Sequence, residues 1–317
     1  MHLGFIVNRS SVMDSSWTTV QLIVASLTLG HRVSVIDRGD IAIQSDGSVS
    51  ARVWSFEHPD TDAEQMTALL QSRQGKRKTI DIGSVDILML RTKPLKPYLL
   101  SVCRRAQEQG VSIVNDPQAL LTTSSKAWLA MCADVKKPPT LITSSPAEAE
   151  LFFQKQRSGI VLKPNAGSGG QEVHLIPYGN YQKLHMTFTS LLKKGYQHLV
   201  VQKNIGTNQR VEKRLLWLDG DVIGGYQRRR AKGEFRHNIH QGAVAEALTV
   251  TNKDKQLVAP LGAHLTRAGI RFAGIDVLGG YILEVNVLNP GGTFHADRLN
   301  ETSLAQIVME NLISTCN

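Results

Sequence analysis

Short apolar runs alternate with amphipathic segments through the first third of the chain. Ser15 or Ser16 is the predicted cap of the first helix, which Gly30 is predicted to end. Thr61 and Glu64 have the spacing of a capping box, which predicts the start of another helix. The predicted strands are residues 3–7, 31–37, 85–91 and 111–115, and the other predicted helix is about 97–109. This alternation is typical of a mainly parallel sheet with helices on its faces.

The pattern changes near residue 115. A proline-initiated helix is followed by Pro138 and Pro139, which lead into a strand. Ser145 then caps a helix that has a proline in its first turn. Further strands are predicted at 159–164, 199–202, 213–218, 222–230, 272–278 and 281–288, and further helices at about 253–268 and 301–314. These segments predict at least one more sheet.

The composition is that of a globular protein with about two or three domains. The chain has 317 residues, 42% of them hydrophobic, and no apolar run approaches the roughly 18 residues of a membrane span. The amino terminus lacks the charged and apolar regions of a signal peptide. Cys103, Cys132 and Cys316 have no CxxC spacing and suit a reducing compartment. We therefore expect a cytoplasmic protein with no membrane span, disulfide framework or zinc site.

A formal net charge of +9 favours anionic partners. The densest cluster of positive charge lies in residues 225–242, where Arg228 and Arg230 share one face of a predicted strand. Guanidinium groups bind phosphate or carboxylate oxygens with two donors each. The alternatives are a solvated strand edge and a nucleic-acid patch, but only Tyr226 and Phe235 interleave with the charges. Because positive charge is also spread over the whole chain, no nucleic-acid partner is expected.

Residues 161–170, VLKPNAGSGG, join a strand to a glycine-rich loop. Gly167, Gly169 and Gly170 let backbone amides approach an anion, and Lys163 adds a positive charge. No GK[ST] follows, which excludes a P-loop, and a strand follows instead of the helix of a dinucleotide-binding loop. A flap over a nucleotide is the functional interpretation, and a plain β-turn is the alternative.

The stretch YILEVNVLNPGG, residues 281–292, carries two polar side chains inside an apolar strand. Glu284 and Asn286 are two residues apart and therefore point to the same face. The preceding apolar strand carries Asp276. A three-residue loop at 279–281 would pair Asp276 with Glu284, whereas a two-residue loop would put these carboxylates on opposite faces. A strand face exposed to water is the alternative interpretation.

Two carboxylates at cross-strand distance repel each other unless a cation lies between them. Ligation by oxygen atoms alone suits Mg²⁺, which also takes phosphate oxygens as ligands. The polar strand face, the glycine-rich loop and the arginines therefore indicate one kind of ligand, a nucleoside triphosphate.

The order of these segments resembles the ATP-grasp superfamily and, within it, the prokaryotic type of glutathione synthetase. The resemblance covers nearly the whole chain and is carried by residues 13–17, 113–128, 161–170, 212–223, 232–239 and, most specifically, 272–290. It implies an α/β ATP-grasp fold with three parts. These are a Rossmann-like (pre-ATP-grasp) substrate domain at 1–121, a small lid subdomain with the glycine-rich flap at 122–200, and a C-terminal mixed-sheet subdomain with the metal site at 201–317. By analogy with such relatives, a homo-oligomer is expected.

The resemblance also implies cofactors and site residues. ATP is expected with Mg²⁺, or with Mn²⁺ as the alternative ion, and the implied metal ligands are Asp276, Glu284 and Asn286. The implied ATP-binding residues are Lys126, Lys163, Gly167, Ser168, Gly169, Gly170, Gln202, Lys203, Asn204, Ile205 and Glu212. The implied catalytic residues are Arg214, Arg228, Arg236 and Asn238. The implied substrate-binding residues are Asp14, Ser15, Ser16, Arg91, Asn289, Gly291 and Gly292.

The departures from the family pattern lie mostly on the substrate side. The family's Arg-Lys-Asp-Pro-Pro run is replaced by residues 91–95, RTKPL, which puts Lys93 at an acidic position. The family's Thr-Ser-Pro-Thr run is replaced by residues 288–292, LNPGG, and Phe294 stands at or near a position that is usually arginine. His237 and Ala243 replace two glycines that are usual in the large loop.

The activity implied by the resemblance is ATP-dependent ligation of a carboxylate to an amine through an acyl phosphate, with release of ADP and phosphate. The expected substrates are small peptides and amino acids, with γ-glutamylcysteine and glycine giving glutathione as the best guess. One alternative is a ligase of the same fold with a different donor or acceptor. Another is a nucleotide- or nucleic-acid-binding protein without turnover, although a pure binder has no need of clustered carboxylates.

Overall fold

The computed structural model describes residues 1–165, 172–206 and 210–316. The first sheet contains β1 (His2–Val7), β2 (Arg32–Ile43), β3 (Val49–Phe56), β4 (Lys76–Asp81), β5 (Ile87–Arg91) and β6 (Ser112–Val114). Its strand order is β4-β3-β2-β1-β5-β6, and the pairs β2/β1, β1/β5 and β5/β6 are parallel. The prediction of a mainly parallel sheet is confirmed at its centre. Strands β3 and β4 were not predicted, and both pair antiparallel.

The helices of this part are α1 (Thr18–Thr28), α2 (Ala63–Gln71) and α3 (Pro97–Glu108), followed by α4 (Pro117–Thr123) and α5 (Lys126–Met131). Two predicted caps were wrong. The N-cap of α1 is Trp17, without a side-chain bond, because Ser16 instead donates its hydroxyl to Asp14 Oδ1 at 2.5 Å. The capping box of α2 uses Asp62 and Gln65, one residue later than the predicted pair, because the Thr61 hydroxyl donates to the His58 carbonyl.

The second sheet is small and antiparallel. It contains β7 (Thr140–Thr143), β8 (Ile160–Pro164), β9 (His174–Ile176) and β10 (Leu199–Lys203) in the order β7-β10-β8-β9. Helices α6 (Pro146–Gln154) and α7 (Tyr181–Lys193) pack a separate apolar core against it, with Phe153 and Phe188 fully buried. The predicted Ser145 cap of α6 is confirmed, whereas α7 was not predicted.

The third sheet has the order β13-β12-β11-β14-β15, with β11 (Val211–Leu218), β12 (Asp221–Arg229), β13 (Val244–Glu246), β14 (Phe272–Leu278) and β15 (Tyr281–Asn286). A mixed sheet was expected, but all four neighbouring pairs are antiparallel. Tight turns join β11 to β12 and β14 to β15, and a two-residue turn joins antiparallel strands only. The helices are α8 (Asn252–Ala268), α9 (Thr293–Asn300) and α10 (Leu304–Ser314).

The first and third sheets share two large apolar clusters. One cluster joins Ile6 and Leu88 of the first sheet to Trp217 and Leu261 of the C-terminal part. The other packs α1 against α10. The amino- and carboxyl-terminal parts therefore form a joined base, while the second sheet has its own core. Among the described helices, none is long and apolar enough to cross a membrane.

Candidate functional site

The hairpin of β14 and β15 brings the predicted carboxylates together in an unexpected way. Gly279 and Gly280 have φ values of 56° and 76° and form a two-residue turn, with Leu278 opposite Tyr281. Of the two loop lengths considered, the two-residue loop is the one that forms. The predicted pairing is nevertheless confirmed, since Asp276 lies opposite Glu284. The register shifts between the pair Val277/Ile282 and the pair Asp276/Glu284. Leu283 is therefore an extra, bulged residue, which returns the two carboxylates to one face.

Asp276 is the centre of this face and is buried. Arg214, directly opposite it on β11, donates from Nε to Oδ1 at 2.6 Å and from Nη2 to Oδ2 at 2.9 Å. Arg228 Nη2 donates to Oδ1 at 2.6 Å, and Asn286 Nδ2 donates to Oδ2 at 3.2 Å. Burial raises the pKa of Asp276, but the charges of the two arginines outweigh it and hold the pKa below its usual value. This carboxylate is therefore ionised and fixed in orientation.

Glu284 on β15 and Lys163 on β8 of the second sheet lie within electrostatic range of each other. The Lys126 ammonium is 3.2 Å from Glu284 Oε1. Lys163 donates to Gln202 Oε1 at 3.1 Å, and Gln202 in turn donates to Thr140 Oγ1 at 3.0 Å. Burial lowers the pKa of Lys163, and the charge of Glu284 partly opposes that shift. Lys163 is thus buried and held in place by an oriented carboxamide.

Glu212 is a second acid of the site with a shifted pKa. It forms a buried ion pair with Arg228, and His237 Nδ1 lies 3.8 Å from its other oxygen. Burial raises the pKa of Glu212 to about 7, Arg228 opposes this, and Asp276 adds to the rise. Perturbed acids of this kind concentrate at functional sites.

These groups open into a single cavity of about 940 Å³, within the usual range of ligand sites. The predicted ATP-binding, catalytic and metal residues that line it are Lys126, Lys163, Gln202, Lys203, Asn204, Ile205, Glu212, Arg214, Arg228, Arg236, Asn238, Asp276, Glu284 and Asn286. The predicted flap residues Gly167, Ser168, Gly169 and Gly170 lie outside the described residues.

Sequence reasoning missed one end of this cavity. Arg157, after α6, donates from Nη1 to the Tyr178 hydroxyl at 2.6 Å, and its guanidinium carbon lies 5.0 Å from the centre of the same ring. No spacing in the sequence relates Arg157 to Tyr178. The cavity is also lined by three basic residues that stand within or before the arginine-rich run and were not assigned to the site: Arg210, Arg230 and Lys232. The lining as a whole suits an anion with a planar group.

The donor set of the β14–β15 face suits a hard cation such as Mg²⁺. It offers two carboxylates and one carboxamide, and Mg²⁺ uses one or two protein carboxylates together with substrate phosphates. Across residues 1–165, 172–206 and 210–316, no three His, Cys, Asp or Glu side chains are grouped to hold an ion by themselves. An Mg²⁺ ion held here would take its remaining ligands from water and from substrate phosphates.

The predicted substrate residues lie elsewhere, where the amino-terminal part meets the loop after β15. Arg91, at the end of β5, is buried and donates from Nε to Thr19 Oγ1 at 3.0 Å and from Nη2 to the Pro290 carbonyl at 2.9 Å. Burial lowers the pKa of Arg91 to about 9. Thr18 Oγ1 accepts from the Gly292 amide at 2.9 Å. The start of α1, which segment 14–16 precedes, therefore contacts Gly291 and Gly292.

The loop after β15 is conformationally demanding. Asn289 has a φ of 55°, and its buried Oδ1 has no partner among the described residues. Gly292 has a φ of 132°, and a Cβ there would lie 3.0 Å from the Tyr226 ring. Arg214 Nη1 donates to the Gly291 carbonyl at 3.2 Å. The loop therefore connects the substrate-side residues to the carboxylate face through Arg214.

Lys93 is exposed and follows β5 near this junction. The Asn8 carboxamide fixes its backbone, donating to the Lys93 carbonyl at 2.7 Å and accepting from the Lys93 amide at 3.3 Å. Desolvation lowers the pKa of Lys93, Glu284 raises it, and Lys126 and Arg214 lower it. Its ammonium thus lies within electrostatic range of the carboxylate face.

Comparison with known proteins matches almost the whole chain to one family. Residues 1–120 match the prokaryotic glutathione synthetase N-terminal domain, and residues 126–301 match the prokaryotic glutathione synthetase ATP-grasp domain. The chain is 27% identical over 321 residues to a glutathione synthetase of Synechocystis sp., covering 98% of each chain. A glutathione synthetase of Thermosynechococcus vestitus is also 27% identical, over 99% of this chain and all of its own.

Two solved structures share the fold at low sequence identity. The crystal structure of D-cycloserine synthetase DcsG superposes with a TM-score of 0.70 at 14% identity, over 99% of this chain and 100% of its own. The structure of the ATP-grasp ligase PsnB, complexed with minimal precursor, Mg and ADP, superposes with a TM-score of 0.64 at 14% identity, over 99% of this chain and 97% of its own.

Proposed function

The chain belongs to the prokaryotic glutathione synthetase family, and from that premise we propose that it joins γ-glutamylcysteine to glycine with ATP to form glutathione. It is an ATP-grasp ligase, and the proposal concerns its substrates and the roles of its residues. The observation that carries the proposal is the cross-strand pair of Asp276 and Glu284, set among three cationic side chains in one large cavity. Those cations are Lys126, Arg214 and Arg228.

The first chemical step forms an acyl phosphate. A carboxylate oxygen of the donor bonds to the γ-phosphorus of ATP as the bond to the β,γ-bridging oxygen breaks, and ADP leaves. Charge accumulates on the phosphoryl oxygens, and preorganised cations stabilise it. Arg214 and Arg228 suit this role because Asp276 already fixes their guanidinium groups.

The second step forms the amide. The acceptor amine bonds to the acyl carbon, the carbon–oxygen bond to phosphate breaks, and the departing phosphate takes up the proton that the amine loses. Alignment of the amine with the acyl phosphate and exclusion of water are what the protein supplies here. Arg236 and Asn238 line the same cavity and are proposed to face the reacting carboxylate.

Asp276, Glu284 and Asn286 would hold Mg²⁺, with Mn²⁺ as the alternative ion. When bound, the ion neutralises charge on the phosphate oxygens. Lys163, Lys126 and Glu212 are proposed to bind the nucleotide, together with the strand end at 202–205. The amino-terminal residues 14–16 and Arg91, with the loop at 289–292, are proposed for the peptide substrate.

A second candidate is a ligase of the same fold with another donor or acceptor. Lys93 favours it, because a lysine near the carboxylate face adds a positive charge where the family has an acid. The cell compartment is proposed to be the cytoplasm, since all three cysteines are free thiols.

The test is ADP and phosphate release with ATP and Mg²⁺, coupled to mass analysis of the product. γ-Glutamylcysteine with glycine is compared with a panel of other dipeptides and amino acids. Glutathione formed with the first pair supports the proposal. Turnover with another pair alone establishes the second candidate, and ATP binding without turnover on any pair overturns the substrate assignment.

A further inference from the structure

A second cleft, of about 380 Å³, lies in the amino-terminal part and shares no lining residue with the large cavity. Four arginines from different segments surround it, and Trp54 and Tyr98 add aromatic surface. The arginines are Arg9 after β1, Arg38 on β2, Arg73 after α2, and Arg77 on β4. We call it the arginine cleft.

The positive charge of the arginine cleft is only partly neutralised. Arg77 pairs with Asp40 at 2.9 Å and lies 4.9 Å from the centre of the Trp54 ring. Asp37 lines the cleft as well and accepts a hydrogen bond from the Ser10 amide at 2.6 Å. Four arginines against two aspartates leave a formal charge of two positive units. The part of the chain that the structure describes holds no ion pair of Arg9, Arg38 or Arg73.

Arg38 gives a second, independent sign that the cleft lacks a partner group. Its Nη1 is buried and has no hydrogen-bond acceptor among the described residues. The Tyr98 hydroxyl donates to the Arg38 carbonyl at 2.7 Å, which fixes the backbone there. Burial of a guanidinium N–H without an acceptor is unfavourable, and an oxygen from a bound anion would satisfy it.

The position in the fold also favours a ligand. Strand β1 pairs with β2 on one side and with β5 on the other, and ligands of such sheets bind beyond the carboxyl ends of the strands, where the order reverses. Asn8 and Arg9 follow β1 directly and line the cleft. Asn8 also holds the backbone of Lys93, so a ligand in the cleft would border the segment that follows β5.

We infer that the arginine cleft binds a small dianion through its guanidinium groups, separately from the nucleotide. Guanidinium groups bind carboxylate and phosphate oxygens with two donors each, so both anion types share the required chemistry. A cleft of this size is at the small end of ligand sites, which suits an anion with the dimensions of citrate or pyrophosphate better than a nucleotide.

The test follows tryptophan fluorescence of the full-length protein during separate titrations with citrate and inorganic pyrophosphate. A saturable change that disappears in Trp54→Phe would report the cleft, because Arg77 lies over that ring. Arg38→Met and Arg73→Met should each lower the affinity for the more tightly bound of the two anions by at least about tenfold. Arg73 is exposed, so its replacement leaves the fold intact. Whichever anion binds more tightly identifies the ligand as carboxylate or phosphate.

Two controls make the result decisive. Arg32→Met removes an equal charge from the exposed start of β2, outside the cleft, and should leave the affinity unchanged. Lys163→Met alters the nucleotide cavity and should also leave it unchanged. Three results would overturn the inference. They are a loss of anion affinity in Arg32→Met equal to that in the cleft variants, a loss of anion affinity in Lys163→Met alone, or no saturable fluorescence change up to millimolar anion.

Discussion

Arg214 lies directly opposite Asp276 on neighbouring strands and donates two hydrogen bonds to it. The same register continues outward on both sides, with Tyr226 beyond Arg214 and Glu284 beyond Asp276. A base and two acids are thus aligned across three strands, with a tyrosine at the far end. Backbone pairing, rather than flexible side chains, sets their order.

Glu284→Gln should reduce turnover by at least about a hundredfold, because it removes one of the two carboxylates proposed to hold the metal. Steady-state ADP release measures the effect. The side chain is 32% exposed and pairs with Lys126, so circular dichroism and the melting temperature should change little. Glu310→Gln, at the exposed face of α10, is the matched control. A near-normal rate in Glu284→Gln contradicts the metal assignment.

Lys163→Met should weaken ATP binding by about tenfold or more, since it removes a buried hydrogen-bond donor that Gln202 orients in the cavity. Titration calorimetry with a non-hydrolysable ATP analogue measures the affinity. Lys155→Met, at the end of α6, removes the same charge from the protein surface and serves as the control. If both variants bind alike, Lys163 has no phosphate role.

Lys93→Met should raise the KM for the carboxylate donor by about tenfold, which corresponds to the loss of one favourable charge interaction. The KM for ATP should stay unchanged, because Lys93 does not line the nucleotide cavity. Initial rates with each substrate varied separately measure this split, and Lys96→Met is the control. A selective rise in the KM for ATP would remove Lys93 from the substrate side.

Asp254→Asn should destabilise the protein by about 1–2 kcal/mol at neutral pH, because Asp254 completes the capping box of α8 and accepts from Lys213 at 2.7 and 2.9 Å. Burial raises the pKa of Asp254, but hydrogen bonds from Lys213 and Thr251 lower it below its usual 3.8. Its stabilisation is therefore complete above pH 3.8 and is lost as the pH falls through the folded-state pKa.

Urea denaturation of Asp254→Asn and the unchanged protein at several pH values measures this dependence. The two midpoints should converge as the pH is lowered below 3.8. Asp60→Asn, at an exposed loop position, is the control, and its urea midpoint should equal that of the unchanged protein at every pH. If the difference between the midpoints of Asp254→Asn and the unchanged protein stays constant with pH, the charge of Asp254 plays no part in the stabilisation.

Gly292→Ala should destabilise the protein by about 1–3 kcal/mol, because alanine is strained at a φ of 132° and its Cβ would meet the Tyr226 ring at 3.0 Å. Gly291→Ala is the matched control, since a Cβ there has ordinary contact with Thr18 at 3.8 Å. Thermal denaturation of both variants measures the difference. Equal melting temperatures would mean that the loop relaxes without cost.

Much of the carboxylate face was predictable from the sequence, because acids inside apolar strands are conspicuous. The pairing of Asp276 with Glu284 was predicted, but the bulge at Leu283 was not, since nothing in that residue distinguishes a bulge from a regular strand position. The opposition of Arg214 and Asp276 depends on the register of strands 62 residues apart in the chain, which local patterns do not encode.

The missed elements have similar causes. Strand β4 is largely exposed and rich in lysine and arginine, so no apolar run marks it. Helix α9 follows a proline and two glycines, which predict a loop, and its first turn is instead held by Thr18 of α1. The two shifted caps show that a capping pattern locates a helix end only to within about a residue or two.

The loop at 288–292 is held from two sides, by Arg91 through the Pro290 carbonyl and by Arg214 through the Gly291 carbonyl. Both arginines bind main-chain atoms, so side chains of the loop other than at Gly292 can be exchanged without loss of either bond. Because this loop is proposed to bind the peptide substrate, such exchanges would alter substrate preference and leave the residues proposed to bind phosphate in place. An insertion or deletion in the same loop would displace both carbonyls at once. The length of the loop should therefore vary less among related proteins than its sequence does.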